Sequence, residues 1–463
     1  MVERDPGSFR DPSAYIVRSE GRIFRVLDDV ARERFLALKG SGVVDALIQS
    51  EAIWPVSEIA DPPFDSNGGF VVEHPVLPFV SYPYEWSFPL LKRAALHHID
   101  VHLAALEHDA TLIDATAYNI QFCGVRASFI DTPSLRPYVD GEFWMGQQQF
   151  AQQFLNPLLL MAHTGIPFNA WYRGSLEGIS SADLNALIPF RKKISFSMLE
   201  NVVLPASFQR AAQKNQTKVS QKAKRASSRK LPKTALIGML SRLRRWIEKL
   251  EIQQRGVTAW QNYDVDNSYA SDEENRKHAF VAAFANECQP KTVFDLGCNT
   301  GAYSETALSN GAQRVVGFDA DHVALEKAFA RADAKGLDFL PLYMDAANPS
   351  PDQGWGQRER QGLATRSQAD AILALAFEHH LAIGRNIPLP ALIDWMVGIA
   401  PRGVIEFVPK SDPMIERMLE FREDIFSSYS QAEFETQLGS RATIVRQETV
   451  SETGRTLYQF ERR

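Results

Sequence analysis

Cysteine is scarce in this sequence. Cys123, Cys288 and Cys298 are the only three in 463 residues, they share no metal-ligand spacing, and they are too few for a disulfide framework. That excludes a small zinc module or a stapled secreted scaffold as the basis of the fold, and no bound metal is expected. Long apolar runs are lacking too, since none reaches the ~18–20 residues that a membrane-spanning helix needs. The opening MVERDPGSFRDPSAY is charged and proline-bearing, without the apolar stretch of a secretory leader. No sign of charge dominates: 50 Lys and Arg face 56 Asp and Glu, for a net −6. Attachment to nucleic acid by charge alone is therefore not expected. The expected setting is reducing and cytoplasmic.

What is there is an ordinary globular composition, 45% hydrophobic and 23% charged, in a chain long enough for two or three domains. The composition breaks near the middle. Between Gln209 and Leu250 the chain carries thirteen Lys or Arg and a single acid, Glu248. The first part of that stretch is polar and rich in Ser and Gln, unable to bury much apolar surface. The second part spaces Leu236, Leu240, Leu243, Ile247 and Leu250 three or four residues apart, which predicts an amphipathic helix with a basic outer face. A linker with a docking helix is the plain reading, with RNA or an anionic membrane as the alternative partner. The chain thus divides into an N-terminal α+β recognition domain over residues 1–207, a basic linker over 208–255, and a C-terminal α/β domain over 256–463.

In the C-terminal part, apolar strands alternate with helical patterns. TVFDLG, RVVGFD, FLPLYM, ADAILALA and GVIEFV read as strands, with helices between them and a final pair, ATIVRQETV and RTLYQFERR, as an antiparallel hairpin. Such alternation predicts a mostly parallel sheet covered on both faces. The most informative segment is TVFDLGCNTG. A strand ends in Asp295 and runs into Gly297, Cys298, Asn299 and Gly301 before a helix starts. Glycine there lets the backbone approach a ligand closely, at the carboxyl end of a strand where open parallel sheets bind ligands. The next strand ends in Asp319, placed to take ribose hydroxyls, and the third leads into Asp345 and Ala346.

These residues resemble the first motifs of the class I S-adenosylmethionine-dependent methyltransferases. The family pattern is an acid, one residue and a glycine-rich loop, with a second acid closing the following strand. Asp295, Gly297 and Gly301 match, and Asn299 stands where the middle glycine usually is. The resemblance implies a Rossmann-like seven-stranded sheet whose last strand is antiparallel, with S-adenosylmethionine as cofactor. Residues Asp295 to Gly301 would hold its methionine part and Asp319 its ribose, while Asp345 and Ala346 would border its adenine. A nicotinamide or flavin fold would instead need glycine at position 299.

Methyl transfer to a hydroxyl or protonated amine needs a base for the acceptor's proton. His379 and His380, after the fourth strand of this unit, are the candidates, because an ordinary histidine titrates near neutrality. Glu378 beside them, with Trp260, Tyr263 and Tyr269 upstream, forms the candidate substrate or lid set. Related methyltransferases often fold that upstream segment over the cofactor. The fourth strand is not followed by an Asn/Asp-Pro-Pro-aromatic run, and no cysteine follows a proline. The expected acceptor is a hydroxyl or amine on a small molecule, sugar or carrier-bound intermediate. The alternative is a non-catalytic scaffold that binds S-adenosylmethionine.

In the N-terminal part, LIDATAYNIQFCGVRASFID places Asp114 five residues before Asn119 and Asp131 twelve after it. This resembles the catalytic and metal-binding loops of protein-kinase-like folds, and implies magnesium held by the Asn and the second Asp. No glycine-rich loop or phosphate-anchoring lysine precedes it, and Thr-Pro follows Asp131 where Phe-Gly would stand. A degenerate kinase-like domain, an unrelated α+β recognition domain and an active phosphotransferase all remain open.

Overall fold

The computed structural model describes residues 2–207, 230–252, 268–366 and 369–463, with the side chains of 268–271 left out. The chain divides into two compact units. The first comprises Met1–Phe122, Arg126–Arg255 and Gln353–Arg360, and the second comprises Cys123–Val125, Gly256–Asp352 and Gln361–Arg463.

In the first unit, strands β1 (Val2–Arg4), β2 (Ala14–Ser19), β3 (Arg22–Leu27), β4 (Ser57–Glu58) and β5 (Phe70–His74) form an antiparallel sheet in the order β1-β2-β3-β5-β4. Two short pairs follow, β6 (Ala110–Leu112) with β9 (Leu135–Pro137), and β7 (Ile120–Cys123) with β8 (Arg126–Phe129). The long helix Phe88–Glu107 buries Leu90, Leu91, Ile99, Val101 and Leu106. Gln353–Arg360 is anchored by a bidentate pair from Arg10 to the buried Glu359, at 2.5 and 3.0 Å.

The basic helix spans Lys233–Glu248 and buries Leu236, Leu240, Leu243 and Ile247, as their spacing requires. It packs inside the first unit, where Arg244 grips Asp100 of the long helix at 2.6 and 3.2 Å. Lys92 adds a bond to the Leu250 carbonyl at 2.9 Å. One part of the segment read as linker is thus a built element of this unit.

The second unit holds, among the described residues, a seven-stranded sheet. Its strands are β10 (Thr292–Leu296), β11 (Arg314–Asp319), β12 (Phe339–Tyr343), β13 (Ala371–Ala374), β14 (Arg402–Phe407), β15 (Ala442–Thr449) and β16 (Thr456–Arg462). Their order is β12-β11-β10-β13-β14-β16-β15, parallel from β12 to β14, with β16 antiparallel to both neighbours. This is the α/β sheet with an antiparallel last strand that the sequence predicts. Every residue of β10 and β13 is buried, which a sheet covered on both faces demands of its central strands. Pro341 cannot donate to a ladder, and it sits in edge strand β12. The strand order reverses between β10 and β13, so a crevice opens at their carboxyl ends.

Candidate active site

The turn leaving β10 has three residues in the left-handed region, Gly297 at φ 77°, Asn299 at 48° and Gly301 at 79°. Asn299 occupies its place because a short amide is among the few side chains that accept this conformation. The Gly297 and Cys298 N–H groups both donate to the Phe318 carbonyl, at 2.8 and 3.0 Å, so the turn is pinned to β11. Asn299 N–H donates to Asp319 Oδ2 at 2.8 Å, and Asp321 N–H donates to Oδ1 at 2.8 Å. Burial pushes the Asp319 carboxyl above its usual range. Cys298 is buried beneath the turn, its thiol raised by burial.

Asp295 is almost fully enclosed and accepts a bond from Ser304 at 2.6 Å. Burial raises its carboxyl to about 7, Asp319 adds to the rise, and the Ser304 bond opposes it. Beyond β12, Asp345 accepts from the Ala347 N–H at 3.0 Å and lies 3.5 Å from Arg385, with Ala346 half-buried next to it. His322 and Tyr343 stack with ring centroids 4.7 Å apart.

The chain leaving β13 turns through Ala376, a non-glycine residue at φ 48°. Phe377 then packs against Gly297, where an added Cβ would lie 3.0 Å from the ring. That contact sets the two turns side by side. The helix Glu378–Ala382 follows, with His379 and His380 in it, their ring centroids 4.1 Å apart. Burial lowers both imidazoles; His380 and then Arg455 lower His379 further, and Arg455 adds to the fall at His380. His380 falls to about 4, and His379 falls further. The sequence expectation of a histidine titrating near neutrality is thereby corrected, and both rings are neutral at physiological pH.

Glu378 turns into the interior. It is fully buried, accepts from the Val408 N–H at 3.2 Å and lies 2.5 Å from the Tyr429 hydroxyl, so it serves the interior. Trp260 and Tyr263 lie outside the described residues, and Tyr269 falls in the helix Ser268–Cys288 without a described side chain.

A buried charge network lies behind the turn after β13, and the sequence points to Glu406 in it without naming the partners. Glu406, in β14, is fully buried, and its Oε2 accepts from the strained Ala376 N–H at 2.8 Å. Lys277 stands 2.8 Å and Arg455 3.6 Å from its other oxygen, while Arg455 also grips Asp412 at 2.7 and 2.9 Å. An acid inside an apolar strand signals that some cation must meet it. Its spacing in sequence does not say which. Lys410 pairs with Asp424 at 2.7 Å. Among the described residues no group of three or more His, Cys, Asp or Glu is placed to hold a metal, and no helix is long and apolar enough to cross a membrane.

Comparison with known proteins decides the family. Over 463 residues, 99% of this chain and 96% of the relative, the sequence is 45% identical to the nodulation protein NoeA of Rhizobium meliloti (strain 1021). The chain belongs to the NoeA family. Within this NoeA-family chain, residues 274–356 match the FtsJ-like methyltransferase family. A stretch of 64 residues, 14% of this chain and 22% of the relative, is 41% identical to the ribosomal protein L11 methyltransferase of Colwellia psychrerythraea. Among solved structures, the N-methyltransferase NodS of Bradyrhizobium japonicum WM9 is similar over 41% of this chain and 96% of its own, at 16% identity and a TM-score of 0.31. The NoeA-family chain is a class I methyltransferase, and S-adenosylmethionine is its methyl donor.

Proposed function

We propose that this enzyme methylates a hydroxyl or amine of a small molecule, sugar or carrier-bound intermediate, and that its acceptor belongs to nodulation, as the name of its full-length relative suggests. The carrying observation is the pair of neutral imidazoles, His379 and His380, in the turn that Phe377 docks against Gly297. In this reading the left-handed turn brings its backbone close to the donor's methionine part, Asp295 meets its ammonium, and Asp319 takes its ribose hydroxyls. Asp345 and Ala346 border the adenine. The donor supplies an electrophilic methyl, and transfer is an in-line displacement for which the protein mainly provides alignment. A neutral imidazole accepts the proton that the acceptor gives up.

Calorimetric titration of the full-length protein with S-adenosylmethionine and its demethylated product is the first test, followed by a panel of acceptors read as product nucleoside released. Tight binding with no turnover on any acceptor would favour the scaffold reading. For His379→Ala and His380→Ala, turnover is expected to fall by ~10²-fold for the base, the low end of general-base effects because both rings are weakly basic. Donor affinity should hold within ~2-fold, since neither ring is assigned to the donor. Unchanged turnover in both variants would remove the base from this turn.

Asp295 gives a pH test. In the free protein its carboxyl is raised to about 7, and an ammonium beside it favours the ionised form. Donor affinity should therefore climb as pH rises through about 7, and fall below it by up to ~10-fold per pH unit as a proton must be released. Calorimetry at pH 6 in two buffers of different ionisation enthalpy should show that release. Asp295→Asn should bind more weakly and show none.

A further inference from the structure

The kinase-like resemblance of the first unit implies a magnesium site at Asn119 and Asp131, and the side chains do not fit one. Arg25, in the middle of β3 and with its side chain 10% exposed, places Nη1 on Asp131 Oδ1. Its Nη2 donates to the Ile130 carbonyl at 3.3 Å, so the guanidinium grips the chain on both sides of the Ile130–Asp131 peptide. Asp131 Oδ2 is taken by the Ser134 hydroxyl and by Asn119 Nδ2, the latter at 3.3 Å. The same Nδ2 reaches Asp114 Oδ2 at 3.4 Å, and Asp114 Oδ1 accepts from the Thr116 N–H at 3.2 Å. Every contact made to Asp131 is from a hydrogen-bond donor, and Asn119 turns its N–H face, not its oxygen, to both acids.

We infer that the Arg25 guanidinium is the built-in counter-ion of Asp131, which closes the Asp114–Asp131 pair to divalent cations and so to metal-dependent phosphoryl transfer there. A divalent ion entering between Asp114 and Asp131 would have to sit beside a fixed positive charge or expel it. Expulsion leaves a cation buried in the sheet without its partner, which is the costly way to break a buried pair. Nearby charge gives no relief. His74 is held neutral by burial with its pKa at about 4, and Glu73 is engaged by Arg22 at 2.7 Å.

Manganese(II) is the probe, followed in full-length protein by the loss of its free-ion paramagnetic resonance signal, with and without ATP. The native chain should show no saturable binding that depends on Asp131. Arg25→Met, of similar length but neutral, should gain a site at least ~10-fold tighter, ~1.4 kcal/mol. Arg25→Lys keeps the charge and should gain none. Asp131→Asn in the Arg25→Met background should abolish the gain. Saturable binding by the native chain that Asp131→Asn removes would overturn the inference, even if Arg25→Met fails to fold. A folded Arg25→Met chain with no gained site would overturn it equally.

Discussion

Gly301→Val should abolish measurable S-adenosylmethionine binding and destabilise the second unit. The residue stands at φ 79°, a conformation that a β-branched side chain strongly resists. Space is also lacking, because an added Cβ would lie 2.4 Å from Cε1 and 3.0 Å from Cζ of the buried Phe339. That ring is boxed in from its other edge, where a Cβ on Gly317 would lie 2.6 Å from its Cε2. It has no room to yield. Backbone strain of about 1–3 kcal/mol and overpacking of about 1–3 kcal/mol act together. Part of that strain is relieved by displacing the turn, which moves the backbone assigned to the donor's methionine part. Affinity should therefore fall by ~10²-fold or more, about 3 kcal/mol, read by calorimetry beside a thermal melt. Gly336→Ala is the control. Gly336 also has positive φ, 60°, but caps a helix with nothing within 4 Å of an added Cβ. It should cost about 1 kcal/mol in stability and leave donor affinity unchanged. Equal losses of affinity in both variants would show that general destabilisation, and not the turn, is responsible.

That turn was legible in sequence because its requirements are local. A strand, an acid and residues tolerant of positive φ lie within ten consecutive positions, and Asn299 meets the same backbone demand as glycine by a different route. The sheet was legible for a similar reason, since alternating strands and helices admit few arrangements. The spacing of Leu236, Leu240, Leu243 and Ile247 likewise predicted the face that the basic helix buries. What escaped depends on contacts distant in sequence. The proton affinities of His379 and His380 follow from how deeply the fold encloses them, which residue type alone does not carry. Arg25 was invisible as a counter-ion because it and Asp131 stand 106 residues apart in sequence. The two ends of the Lys277–Glu406 pair belong to separate elements that only the completed sheet brings together.

Glu378→Gln should make the enzyme more stable at alkaline pH, and should erase part of its dependence on pH. The Tyr429 hydroxyl has one proton and two oxygen neighbours, the Val408 carbonyl at 2.7 Å and Glu378 Oε1 at 2.5 Å. A carbonyl can only accept, so the tyrosine proton serves it, and the close approach to Glu378 then needs a proton from the carboxyl. The other carboxyl oxygen is buried with no hydrogen-bond partner, which an ionised group would tolerate poorly. Burial, with Glu406 adding, raises the carboxyl from 4.5 to about 8, and the bond from the Val408 N–H opposes the rise. The sign follows directly. Between those two values the folded state holds a proton that the unfolded chain releases, so stability is complete below about 4.5 and is lost as pH rises toward 8. One such group gives a slope of ~1.4 kcal/mol per pH unit, several kcal/mol across the window at most. Asp295 contributes a slope of the same sign up to about 7, so the native curve alone does not isolate Glu378. The difference between native and Glu378→Gln curves does. Gln is neutral at every pH, and that difference should move in favour of the variant from pH 5 to pH 8 in denaturant titrations. Parallel curves would mean that Glu378 is already ionised in the fold, and the proton would then belong to Tyr429 alone.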